Sequence, residues 1–250
     1  LKSDQAPRLQ PSTFVLHVPE LGGDFFYKGS MKKGFPDRFG FCFYPDGNCA
    51  YTGYWKDGKM EGIGSCFRSN GRLEYAGQWK NGMPDGVGTS YQEDGETKAF
   101  AGDWVQGKPE GAGCLFRSDG SCFYNGAVKE GSAHGRGQFY SPSKACTYDG
   151  DWVAGLKQGS GTSYHENGQT AYEGRWVNNK PHGRGTLYNQ SGSVIYVGKW
   201  ADGKRHGRGI SYRPDGAKEF EGEWENDAER SPGILYREDG MNIAIEREVF

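Results

Sequence analysis

Large apolar side chains are scarce in this sequence. Hydrophobic residues make up 34% of its 250 positions, too few to fill the one thick core that a globule of this length needs. No apolar run approaches the ~18 residues of a membrane-spanning helix, and the mean hydropathy is −0.83. An excess of one charge is missing too. The net charge is −2, so no global field points to nucleic acid or to a membrane. The start, Leu1-Lys2-Ser3-Asp4, has neither a Met nor an apolar leader, and the expectation is a piece excised from a longer protein. The six cysteines show no CxxC spacing, which favours reduced thiols and a cytoplasmic setting.

What is abundant is glycine, 42 residues, together with 7 Trp, 15 Tyr and 14 Phe. So many aromatics exclude a solvated coil, and the glycines fall in register. An aromatic-x-Gly triplet starts at Tyr27, Tyr51, Tyr75, Phe100, Tyr124, Tyr148, Tyr172, Tyr196 and Phe220, a period of 24 residues broken by a single 25. Counting the starting aromatic as position 1, all seven tryptophans stand at position 5. Positions 3, 8, 12, 14 and 21 hold 40 of the 42 glycines. Positions 1–5 alternate as a strand with one buried face, and 12–17 form a second strand. Turns such as Asp57-Gly58 and Asp215-Gly216 join them. Alternation places positions 1, 3 and 5 on the same face as 12 and 14, so that large rings cover strand glycines.

The pattern Tyr-x-Gly-x-Trp-x-x-Gly-x-x-x-Gly-x-Gly, nine times over residues 27–243, resembles the MORN (membrane occupation and recognition nexus) repeat. Met31, Arg38, Val128, Lys144, Asp227 and Ser231 depart from it. The resemblance implies an all-β fold: an elongated single-layer twisted sheet, a solenoid of stacked β-hairpins. Around it, residues 1–12 are expected to be disordered, 13–26 to hold an N-terminal capping strand, and 244–250 to form a tail.

No catalytic constellation emerges. His134, His182 and His206 share position 11, and copies in adjacent repeats would stand ~10 Å apart, too far to share a metal. The same spacing separates Cys122 from Cys146, so Cys42 with Cys49 is the one disulfide pairing within reach. No metal site, cofactor or catalytic residue is therefore expected. Charge is more informative. Residues 172–213 carry a net +6 and 215–250 a net −7. Lys180-Pro-His182-Gly-Arg184 and Lys204-Arg205-His206-Gly-Arg208 repeat a basic turn that suits an anionic headgroup or an acidic partner.

The expected function is a non-catalytic scaffold that holds a partner protein, a peptide or helix laid across several repeats. Its groove is expected to be lined by Trp55, Trp79, Trp104, Trp152, Trp176, Trp200, Trp224, Tyr148, Tyr172 and Tyr196. The resemblance implies a cytoskeletal or membrane-associated assembly. Alternatives are an anionic-phospholipid (phosphoinositide) module using the two basic turns, or the targeting region of a larger multidomain enzyme. Nucleic acid is not an expected partner. An antiparallel homodimer through the C-terminal repeats would place the acidic end of one chain on the basic repeats of another.

Overall fold

The computed structural model describes residues 14–18, 23–238 and 242–245. The expectation for residues 1–12, and that for 246–250, lie outside this range. Among the described residues there are strands and turns and no helix, as glycine at this frequency dictates. The chain divides into two units, Leu1–Gly120 and Ser121–Phe250.

The first unit holds β1 (Phe14–Val18), β2 (Gly23–Lys32), β3 (Phe35–Phe43), β4 (Cys49–Lys56), β5 (Lys59–Phe67), β6 (Leu73–Lys80), β7 (Met83–Tyr91), β8 (Lys98–Val105) and β9 (Lys108–Phe116). The second holds β10 (Cys122–Lys129), β11 (Ser132–Tyr140), β12 (Cys146–Val153), β13 (Leu156–Tyr164), β14 (Thr170–Val177), β15 (Lys180–Tyr188), β16 (Val194–Ala201), β17 (Lys204–Tyr212), β18 (Lys218–Glu225), β19 (Ala228–Tyr236) and β20 (Asn242–Ile245). Within each unit successive strands pair antiparallel in chain order. β20, four residues across the expected end of the repeats at 243, pairs with β19 and covers its edge.

One turn geometry sets the hairpin of each repeat. The tight turn inside each repeat has positive φ at both central residues, for example Asp57 (47°) and Gly58 (85°), the mirror-image turn that matches strand twist. Where position 8 is not glycine it is Asn179 or Asp227, residue types that tolerate this region. The turns also stack: the N–H of Gly203 donates to the Pro181 carbonyl of the previous repeat at 2.9 Å, and Gly82 to Met60 likewise.

One expectation about faces is corrected here. Glycines at positions 3 and 14 do lie under the rings, opposed in register across the strands (Gly174–Gly185–Gly198–Gly209–Gly222–Gly233). Position 12 does not share that face. It sits at a β-bulge with positive φ, 65° at Gly183, and a Cβ there would meet the Arg175 side chain on the opposite face.

The core of each unit is a ladder of rings. Tyr172 meets Trp176 of its own repeat at 5.1 Å and Trp200 of the next at 5.3 Å, both edge-on. The alternation runs from Tyr27 to Phe100 in the first unit and from Tyr124 to Phe220 in the second. Each tyrosine hydroxyl donates to the carbonyl three residues on, Tyr172 to Arg175 at 3.1 Å and Tyr196 to Lys199 at 3.0 Å. Indole N–H groups reach back one strand, Trp79 to the Gly64 carbonyl and Trp152 to Gly137, each at 3.0 Å. Met31 and Val128, where tryptophan is missing, leave Tyr27 and Tyr124 with one tryptophan neighbour each in their units.

The cysteine expectation holds in part. Cys42, Cys49, Cys66 and Cys146 are free thiols, so Cys42 and Cys49 are not joined. Cys114 and Cys122 are not among the free thiols, which corrects the reading of six reduced thiols.

Candidate binding groove

Because rings and glycines occupy one face, side chains at positions 2, 4, 13 and 15 must project from the other. In the second unit this face forms an open groove of about 1120 Å³. One row across it is fixed by strand register: Glu173, Thr186, Val197, Ile210, Glu221 and Ile234. A second set comes from positions 4 and 13, where Arg184 stands directly opposite Lys199, and Arg208 opposite Glu223. Arg208 Nε lies 3.2 Å from Glu223 Oε1. Lys218 Nζ lies 2.6 Å from Glu221 Oε2 and holds that carboxyl below its ordinary value. Arg175, Arg184 and Lys199 are exposed and make no ion pair among the described residues.

In the first unit position 13 is apolar in every repeat, and Tyr54 joins it from position 4. Phe39, Tyr54, Ile63 and Val87 are 47%, 53%, 68% and 62% exposed. Phe39 packs edge-on against Tyr54 at 5.7 Å. The strand pattern thus offers water a set of large apolar side chains, which marks an interaction surface more often than chance decoration.

A family model for the MORN repeat matches residues 27–49, 51–71, 75–97, 100–122, 124–145, 148–170, 172–194, 196–218 and 220–241. The chain belongs to the MORN repeat family. No curated protein matches it. MORN repeats are commonly scaffold or membrane-binding modules and are generally not catalytic.

On this MORN frame the residues singled out from sequence fall in three places. The ladder aromatics, Trp55, Trp79, Trp104, Trp152, Trp176, Trp200, Trp224, Tyr148, Tyr172 and Tyr196, are all buried, none more than 8% exposed. They do not line the open groove, because each ring is covered by its neighbours in adjacent repeats. Of the basic set, Arg184 and Arg208 line the groove of the second unit. Lys180 and Lys204 are exposed at the starts of β15 and β17, outside its lining, as are the half-buried His182 and the exposed His206. Arg205 is turned to the ring face: its guanidinium lies 4.2 Å from the Trp224 ring centroid and pairs with Asp227 at 3.2 Å. Lys157, at the same repeat position, lies 4.6 Å over Tyr148 and 4.9 Å over Trp176, and burial lowers its pKa.

Sequence reasoning missed Lys199, Val197, Ile210 and Ile234 as groove residues; they stand at positions 4, 2, 15 and 15. Reading positions 2, 4 and 15 down the repeats, as an outward face alternating with the ring face, would have found them; position 13 alone shows the change from Phe39, Ile63, Val87 and Ala112 to Arg136, Ser160, Arg184 and Arg208. No group of three or more His, Cys, Asp or Glu that could hold a metal occurs among the described residues. Burial pushes the Cys42 and Cys66 thiols up to about 12, which removes them as nucleophiles near neutral pH.

Proposed function

We propose that the chain is a non-catalytic scaffold that binds a partner protein along the open face of its hairpins, within a cytoskeletal or membrane-associated assembly in the cytoplasm. The groove of the second unit supports this reading. It combines apolar side chains (Val197, Ile210, Ile234) with charges of both signs among and beside them, the mixture that lets a polypeptide bury area and fix its register. Affinity capture with the intact chain and with Ile210→Asp tests it. Ile210 projects away from the ring ladder, so the variant should melt like the parent and lose the captured partner. Retention of the same partner by a folded Ile210→Asp chain would place binding elsewhere.

The unpaired Arg175, Arg184 and Lys199 favour a second reading, an anionic-phospholipid module. Co-sedimentation with phosphatidylserine vesicles at physiological salt tests that reading. If the parent chain stays in the supernatant, the lipid reading is removed.

A further inference from the structure

Position 4 changes its chemical character along the chain, and the backbone beneath it shows why that matters. The bulge at position 12 releases the N–H of position 13 towards the open face. In three repeats the side chain at position 4 accepts from it: Gln78 Oε1 from Val87 N–H at 2.8 Å, Asp103 Oδ2 from Ala112 at 2.9 Å, and Asp151 Oδ2 from Ser160 at 2.8 Å. The chain there supplies its own acceptor, twice a carboxylate.

Repeats one, two and five, with Ser30, Tyr54 and Ala127 at position 4, have no such bond among the described residues, and repeats seven and eight replace the acceptor by a cation. Position 4 is Arg175 and then Lys199, cations that donate and cannot accept. The Arg175 stem lies 3.5 Å from where a Cβ on Gly183 would stand, and the Lys199 stem 3.1 Å from the equivalent point on Gly207. Position 13 is itself Arg184 and Arg208, so their N–H groups receive no side-chain acceptor among the described residues. Arg184 and Lys199 face each other directly across β15 and β16. Like charges so placed are destabilising unless an anion lies between them.

We infer that the open face of repeats seven and eight is a carboxylate-binding subsite, filled by an acidic side chain of a partner segment that takes the place Asp103 and Asp151 hold in their own repeats. This rests on the scaffold reading and names the chemistry of the partner. Glu173 and Glu221 line the same groove, and Glu223 already engages Arg208. That surround suits one carboxylate and repels a polyanionic headgroup. Val197, Ile210 and Ile234 beside the cations select apolar neighbours for the acid.

The test uses the intact chain as bait for a displayed random-peptide library. Enriched peptides should carry Asp or Glu among apolar residues, and Asp→Asn or Glu→Gln in the synthetic peptide should weaken binding by about tenfold or more. The double variant Arg175→Asp with Lys199→Asp gives these repeats the residue that repeats four and six already carry. It should melt like the parent and lose the acidic peptides; Arg184→Gln provides a second, milder variant. Enrichment of peptides without acids would overturn the subsite and leave the scaffold reading standing, as would acidic peptides that bind parent and both variants alike. A parent chain that enriches nothing would sink both. If the parent sediments with phosphatidylserine vesicles, the double variant does not, and neither binds acidic peptides, the cations serve a membrane and the inference fails.

Discussion

Tyr172 covers Gly174 and Gly185, sits edge-on between Trp176 and Trp200, and donates its hydroxyl to the Arg175 carbonyl. These roles separate by substitution. Tyr172→Phe keeps the ring and loses one hydrogen bond, as Phe100 and Phe220 do naturally, and should cost about 1 kcal/mol. Trp176→Ala removes a ring shared by two repeats and should cost about 3–5 kcal/mol. Gly185→Val should be severely destabilising, because a Cβ there overlaps the Tyr172 ring itself. Denaturant midpoints rank the three, and a Gly185→Val chain as stable as the parent would remove the ring-over-glycine account. The buried phenols add a pH signature. Burial pushes Tyr27, Tyr124 and Tyr196 up from 10.0 to about 12. Folding favours the neutral phenol, so this contribution is complete below pH 10 and is lost as pH rises towards 12. The melting temperature should fall across that window, with tyrosinate absorbance rising late. Tyrosines that ionise near pH 10 in a still-folded chain would show the rings to be open to water.

At the scale of the hairpin, the sequence carried the strands, the turns and the pairing of rings with glycines, because each leaves a periodic mark. Two things left no such mark. The bulge at position 12 is a register shift, and simple alternation cannot see it; it turns that glycine away from the rings and frees the N–H of position 13. The second concerns the rings: the alternation gave them a buried face, but nothing periodic said that the same rings could not also line a partner groove. Here neighbouring repeats cover one another edge-on, so the tryptophans are core and the groove belongs to positions 2, 4, 13 and 15. Arg205 was misplaced for a related reason: within a basic run its stacking on Trp224 is not distinguishable from solvation. The bulge makes its own prediction. Asp151→Ala removes the acceptor of the Ser160 N–H and should cost about 1 kcal/mol, whereas Arg175→Ala at the equivalent position should cost close to nothing. Equal losses in thermal melts would mean that position 4 acts through packing alone.

For the whole molecule, the question is whether the acidic C-terminal repeat serves a second chain. A tail-to-tail dimer needs those acids to be available, and most are already engaged. Asp227 pairs with Arg205 at 3.2 Å, Glu223 with Arg208 at 3.2 Å, Glu221 with Lys218 at 2.6 Å and Glu225 with Arg230 at 3.0 Å. Each pair is partly exposed and individually weak, so a dimer could exchange it, but only by giving up a contact of the same kind. The edge such a dimer would use is also occupied, since β20 pairs with β19. Arg205 and Arg208 of the basic segment thus already meet acids of the C-terminal repeat within one chain. The expected sedimentation mass is that of a single 27.6 kDa chain, and it should not change between ~0.1 M and ~1 M salt, where the screening length drops from ~10 Å to ~3 Å. A mass near twice that value at low salt, halving as salt rises and abolished by ending the chain near Ala217, would restore the charge-paired dimer.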